Sequence, residues 1–427
     1  MKIKEKFYSI NNNTFFKSFR SLALGSMISQ TITMLMSPVS TRLFSSTELG
    51  IYTLLISFSA IFEPVICGKY DLAIVRAEEK EVKPLIQGSF LFSVFFSIII
   101  SLLYCIFLYL NPTIYSSIGF VAWLLPIMLL ITSVNNILTS YNNRESEYKI
   151  ISQSFVIKSA SQNLLMLIFG LLNFSTNALI YSKYISNFFG MGKQSKSLRL
   201  RRLGLMQLNP LEIRGSLFKY RNQLFFNMPA QFLNSLSYSS LNFFISALFG
   251  IHIFGYYSLT YRMLGLPLTL ISVNMSKVFY KNAVEELNRF NNFKNSFLKS
   301  FMFLSIMASL MVIILVIFGP QLFSIVFGSE WGISGEYIRI LAPMYGIRLV
   351  TSALTPSLIV AGKQKYEMKM QSMFLAFSVS SFFIVRTFNL GINYFLLLIS
   401  VLFSSVYLVS LYNFYKISKK SEGYLND

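Results

Sequence analysis

TELGIYTLLIS (Thr47–Ser57) and HIFGYYSLTYR (His252–Arg262) repeat one pattern. Gly50 aligns with Gly255, Tyr52 with Tyr257 and Leu54 with Leu259, at a constant offset of 205. Pro64 and Pro267 follow at similar depth in the apolar segments that the two stretches open. The chain therefore reads as two related halves. Both would start and end on the same side of a membrane, so the repeat is parallel, about an axis along the membrane normal.

Outward from these stretches, apolar runs long enough to cross a bilayer recur along all 427 residues. The chain is 54% hydrophobic and only 13% charged, with a mean hydropathy of +0.56. A soluble domain carries about 25% charged residues, so lipid is the implied solvent. Spans are expected near 20–41, 49–69, 85–110, 118–140, 150–170, 173–191, 223–248, 255–276, 298–319, 334–359, 370–387 and 392–415. The basic start followed by a long apolar run reads as a retained first helix rather than a cleaved signal. The pattern predicts an all-α polytopic membrane protein with about 12 transmembrane helices, in two six-helix lobes around a central cavity. The expected division is an N-terminal lobe over 1–192, a basic cytoplasmic linker over 193–222 and a C-terminal lobe over 223–427.

The net charge of +20 would point to nucleic acid in a soluble protein. Here 30 of the 37 lysines and arginines fall on the tails and alternate connections, while the opposite side holds Arg42 and Arg386. That asymmetry marks cytoplasmic loops and places both termini in the cytoplasm, and no nucleic-acid partner is expected. The outer connections are short, the longest being QLFSIVFGSEWGIS (320–333). No catalytic residue stands out, and a membrane polymerase or ligase would want a larger outer loop. Cys67 and Cys105 lie far apart in apolar sequence, so they read as small hydrophobes. No metal site and no cofactor are expected.

Five basic residues fall inside spans: Lys158, Lys183, Arg262, Arg339 and Arg348. A charge at bilayer centre costs roughly 2.5–3.5 kcal/mol on insertion scales, so it must face a cavity, find a partner or snorkel. Lys183 and Arg339 are placed to snorkel. Arg262, Arg348 and Lys158 are the candidate cavity cations, suited to an anionic cargo. Planar guanidinium matches phosphate oxygens in bidentate fashion. Two polar stripes at helical spacing are candidate cavity lining: Ser26, Gln30, Thr33 and Ser37, and Asn227, Gln231, Asn234 and Tyr238. The bland alternative is hydrogen-bond glue between helices. Glu63, just before Pro64, is the candidate proton site or charge partner. His252 reads as an ordinary loop residue.

With these residues in view, GYYSLTYRMLGLPLTLIS (Gly255–Ser272) resembles a segment of the Wzx-type polysaccharide flippases. That family shares a superfamily with lipid II flippases and multidrug and toxin extrusion (MATE) exporters. GSMISQTITMLMSPVSTRLFSSTELGIYTLL (Gly25–Leu55) is similar to its first two helices, and KYDLAIVRAEEKE (Lys69–Glu81) to its aromatic-acid-Leu-Ala-Ile loop. FGSEWGISGEYIRILAP (Phe327–Pro343) and AGKQKYEMKMQ (Ala361–Gln371) resemble its late segments. The resemblance implies a two-lobed fold with a cationic cavity. It also implies a cargo: an oligosaccharide unit on undecaprenyl diphosphate, moved from inner to outer leaflet for O-antigen, capsule or a related glycan. Arg262 lies within a matching motif, Arg348 matches less closely, and Lys158 rests on the physical argument alone. Membrane lipids, a polysaccharide polymerase and a chain-length regulator are the further expected partners. The two extra helices of lipid II flippases have no counterpart before Asp427. The rival readings are a MATE-type cation-coupled exporter, which would want buried carboxylates, and a membrane glycan polymerase or ligase.

Overall fold

A computed structural model describes residues 24–110, 125–201, 207–361, 363 and 365–419. The expected span portions 20–23 and 118–124 lie outside the described residues. So do Lys2, Lys4, Lys6, Lys17, Arg20, Arg202 and Lys420 of the charge pattern. Among the described residues every regular element is helical.

By backbone contacts the chain forms two compact units. The first gathers residues up to Met36 with Leu55–Ser235, and the second Ser37–Leu54 with Leu236 onward. The elements in order are α1 (24–43), α2 (Ser46–Phe62), α3 (Tyr70–Arg76), α4 (Glu79–Leu110), α5 (Leu125–Arg144), α6 (Tyr148–Leu171), α7 (Thr176–Arg201) and α8 (Pro210–Lys219). A π turn, Gln223–Asn227, leads into α9 (Met228–Pro267). There follow α10 (Val273–Phe290), α11 (Lys294–Phe327), α12 (Gly332–Leu354), α13 (Ser357–Val360), α14 (Lys365–Thr387) and α15 (Ile392–Lys419).

Where they are described, the expected spans fall largely on helices, 49–69 leaving its helix at Phe62. Among the described residues six helical stretches are long and apolar enough to cross a membrane by length and composition, among them Gln223–Phe290 with 68 residues. That stretch holds two expected spans. α9 breaks at Gly250, whose φ of 82° and ψ of 168° suit only glycine. The connection expected over 249–254 is thus one residue wide. A second correction concerns 320–333, expected as the longest outer loop. α11 continues through it to Phe327, leaving Gly328 and one tight turn at Ser329–Trp331. The reason is packing: Phe323, Phe327 and Trp331 are buried. The Trp331 Nε1–H donates to the Thr41 carbonyl at 3.2 Å, and the Thr41 hydroxyl donates to the Phe327 carbonyl at 3.0 Å.

The helices carry the polarity expected of lipid-exposed elements. On α4, Ser89, Ser93 and Ser97 are buried while Phe95, Ile98, Leu102 and Ile106 are exposed. On α11, Met302, Ile306, Leu310, Ile313 and Ile317 form an exposed apolar stripe at helical spacing. Such faces need lipid to cover them. Two of these serines satisfy their hydroxyls on their own helix, Ser93 on the Ser89 carbonyl at 2.7 Å and Ser97 on the Val94 carbonyl at 2.9 Å. This is a multi-pass membrane protein.

Without a hydrophobic force between helices in lipid, small residues set how closely they approach. The repeat supplies two of them. A Cβ on Gly255 would overlap the Ser46 carbonyl oxygen, and one on Gly50 would stand 2.5 Å from that of Ile251. Ser46 lies four residues before Gly50, and Ile251 four before Gly255. The crossing is therefore reciprocal: each repeat glycine sits on the same carbonyl of the other. Gly319 and Gly335 make a second close crossing between α11 and α12.

The stretch 193–222, expected as a linker, is largely helical where described: α7 runs to Arg201, and α8 packs on α4.

Candidate functional site

In the second unit, Arg348 projects from α12 onto two tyrosine rings. Its guanidinium carbon lies 4.7 Å from the centroid of Tyr238 and 5.3 Å from that of Tyr345. Tyr261 and Tyr407 complete the polar surroundings, and the Tyr407 hydroxyl is buried without a hydrogen-bond partner. Among the described residues no carboxylate pairs with Arg348. Stacking on aromatic faces lets a cation sit at mid-span without neutralising it, each contact contributing about 0.5–2 kcal/mol. The cavity beside it, lined by Tyr238, Tyr257, Tyr261, Tyr345 and Phe403 among others, has ≈ 10 Å³. That is room for about one water. Arg348 nevertheless keeps part of its surface exposed.

Arg262 lies on the second half of α9 and faces Tyr52 of α2. It makes no hydrogen bond or ion pair among the described residues and is partly exposed. It does not line the Arg348 cavity. The two arginines are therefore separate cations, one stacked on tyrosine rings and one beside Tyr52.

In the first unit, Lys158 of α6 shares its surroundings with Lys183 of α7 and with Glu63. Glu63 accepts a hydrogen bond from the Thr132 hydroxyl at 3.5 Å, and its carbonyl accepts from Asn136 at 3.0 Å. Two lysines around one carboxylate leave this cluster positive. Lys183, expected to snorkel, thus belongs with Lys158.

The polar stripes divide. The hydroxyl of Thr33 contacts that of Ser159 at 3.1 Å, and Ser159 donates to the Ser29 carbonyl at 2.8 Å. These bonds tie α1 to α6, and Gly25 lets the helices close on Ser152. Ser26 and Gln30 are partly exposed. Asn227 sits on the π turn and donates to Gln223 at 2.6 Å on the exposed surface. The π turn adds a residue to the helical repeat there, which spacing alone does not reveal. Gln231 is partly buried, and the Asn234 Oδ1 is buried without a partner. Tyr238, at the end of that stripe, is the ring that carries Arg348.

Sequence reasoning missed Asp71 as a site residue, although KYDLAIVR was singled out. Gly68 and Lys69 both adopt left-handed φ, 59° and 62°, which turns the chain so that α3 buries Asp71 to 8% exposure. Its Oδ1 has no partner. Burial pushes its carboxyl above the usual aspartate value, with Lys69 opposing. A carboxyl raised in the folded state is stabilising once protonated, and that stability is lost as pH rises through the folded value. Asp71→Asn is therefore expected to raise the melting temperature at neutral pH and to flatten its rise on acidification. Thermal scans of purified protein across mildly acidic to neutral pH check this; a lower melting temperature at neutral pH would refute it.

Among the described residues, no group of three His, Cys, Asp or Glu could hold a metal ion.

The fold is shared with solved transporters. An inward-facing multidrug resistance MATE family transporter of the MOP superfamily matches with a TM-score of 0.70 at 16% identity, covering 92% of this chain and 96% of that one. An outward-facing MATE transporter of the same superfamily gives 0.63 at 15%, covering 95% and 96%. A mutant MATE transporter from Vibrio cholerae gives 0.63 at 14%, covering 96% and 97%. At such identities the likeness concerns the fold. No curated protein sequence matches. The family model described as polysaccharide biosynthesis protein matches residues 39–336. That range runs from the end of α1 into α12 and takes in both repeat stretches, Lys158 and Arg262, and on it the chain belongs to the polysaccharide biosynthesis protein family.

Proposed function

We propose that this protein is a flippase. It carries oligosaccharide units on undecaprenyl diphosphate from the inner to the outer leaflet of a bacterial inner membrane, for O-antigen, capsule or a related surface glycan. Arg262, Arg348 and Lys158 attract the diphosphate, and the prenyl chain stays in lipid. Both termini are cytoplasmic, and a polymerase and chain-length regulator take over the delivered unit. The observation that carries this reading is Arg262 and Arg348 without carboxylate partners, inside a chain of the polysaccharide biosynthesis family. A cargo with phosphate charge supplies the missing partner. The related fold is known in inward- and outward-facing forms, and we assign this chain the same alternation.

Moving one charge through the full membrane field is worth about 2.3 kcal/mol per 100 mV. A diphosphate leaving a negative interior would gain up to roughly twice that, so the potential can drive export. Loss of the protein is expected to trap lipid-linked units on the inner leaflet and to abolish surface polymer. Normal polymer in its absence would end the assignment. Export of lipophilic cations against a proton gradient, with glycan unaffected, would favour the MATE-type exporter instead.

A further inference from the structure

α8 and the turn after it form an unusual surface. Ile213 and Ser216 are buried against the first unit, whereas Leu211 is 82% exposed and Phe218 65% exposed. Leu211, Arg214, Phe218, Arg221 and Phe225 follow one another at steps of three, four, three and four. Hydrophobe and arginine thus alternate along one side. Beside them runs an open groove of ≈ 640 Å³, lined mainly by apolar side chains including Tyr70, Leu91, Leu208 and Leu217, with Arg214 and Arg221 at its wall.

The element is fixed in place. Lys219 pairs with Glu81 at 2.5 Å and with Glu78 at 3.5 Å, and the Tyr220 hydroxyl donates to Glu81 at 2.9 Å. Gln87 donates to the Gln207 carbonyl at 3.0 Å, and Leu217 packs over Gly88, where a Cβ would come within 2.8 Å. Lys219 is held above the ordinary lysine range by its bond to Glu81. The neighbouring glutamates are engaged: Glu78 and Glu81 with lysines, Glu79 with Arg144 at 3.0 Å, and Glu212 with Asn209 at 2.8 Å. Arg214 and Arg221 have no carboxylate partner among the described residues. Arg221 stacks on Phe218 at 4.4 Å, which fixes the guanidinium plane and leaves its N–H edge for another acceptor.

We propose that this groove is the docking site for a polyprenyl diphosphate, with the prenyl chain along the apolar floor and the two phosphates against Arg214 and Arg221. It rests on the flippase reading and adds where the cargo is first held. An apolar trough beside two unneutralised guanidinium groups suits a lipid with a diphosphate head. A bulk phosphodiester lipid brings one phosphate charge and satisfies one of them. Exposed apolar and basic side chains on one short helix also fit an element lying in the membrane interface.

The test uses purified full-length protein in nanodiscs of neutral lipid, titrated with undecaprenyl diphosphate, and separately with phosphatidylglycerol. Wild type is expected to prefer undecaprenyl diphosphate, and Arg214→Gln/Arg221→Gln to weaken that binding about 10- to 100-fold, the scale of lost charged hydrogen bonds. Phosphatidylglycerol binding, with one phosphate to lose, should fall less. Each single variant should show an intermediate loss, which keeps the test open if the double variant elutes poorly. Undiminished binding by the folded double variant would overturn the docking site and leave the flippase reading standing. A wild-type protein with no preference for undecaprenyl diphosphate would overturn both.

Discussion

Gly255→Ala is expected to destabilise the protein at or above the upper end of the about 1–3 kcal/mol usual for overpacking. The added methyl would meet the Ser46 carbonyl oxygen, a backbone atom that cannot swing aside as a side chain could. Relief requires α2 and α9 to separate, breaking a contact that small residues permit. Gly50→Ala should act in the same direction, because its methyl would meet the Ile251 carbonyl. The double variant should cost less than the sum, since one separation relieves both clashes. Gly265→Ala on the same α9 is the control. Nothing lies within 4 Å of its added Cβ, and alanine favours helix over glycine by about 1 kcal/mol. Thermal melts of the purified variants therefore separate close crossing from helix propensity. A Gly255→Ala protein melting with wild type would show that the crossing is not tight.

Arg348→Ala is expected to reduce surface glycan about 10- to 100-fold, because a charged hydrogen bond contributes about 1.5–3 kcal/mol. The neighbouring cavity admits about one water, so the cargo phosphate we propose would have to reach the guanidinium from its exposed edge. Arg348→Lys should recover little. Lysine keeps the charge but cannot lie flat on Tyr238 and Tyr345 while presenting a planar fork. Arg262→Ala should reduce glycan comparably with less effect on melting, since Arg262 makes no internal hydrogen bond or ion pair among the described residues. Normal surface glycan in cells carrying Arg348→Ala at wild-type abundance would remove that residue from transport and leave it a packing element.

Much of the fold was legible along the chain. Apolar run length marked where the long helices fall among the described residues, because a helix in lipid must satisfy its backbone alone and present some 20 apolar residues whatever its neighbours are. The boundary errors fell where packing, not lipid, sets the helix end. α11 runs past its apolar core to Phe327 because Trp331 and Thr41 hold that end. Asn227 lies exposed on the π turn at Gln223–Asn227, and nothing in the order of residues announces a π turn.

The sequence by itself determined the helices, their alternation with basic connections and the internal repeat, since each depends on local composition or on comparing one half with the other. It also singled out Arg262, Arg348 and Lys158, since charge within an apolar run is visible without coordinates. Only the tertiary structure decided what surrounds them: tyrosine rings for Arg348, Tyr52 for Arg262, Lys183 and Glu63 for Lys158. It alone set Gly50 against Gly255, buried Asp71 and left Arg214 and Arg221 unpaired beside an apolar groove. The physical reason is that contact between helix faces depends on rotation and crossing, and residues far apart in the chain fix both together.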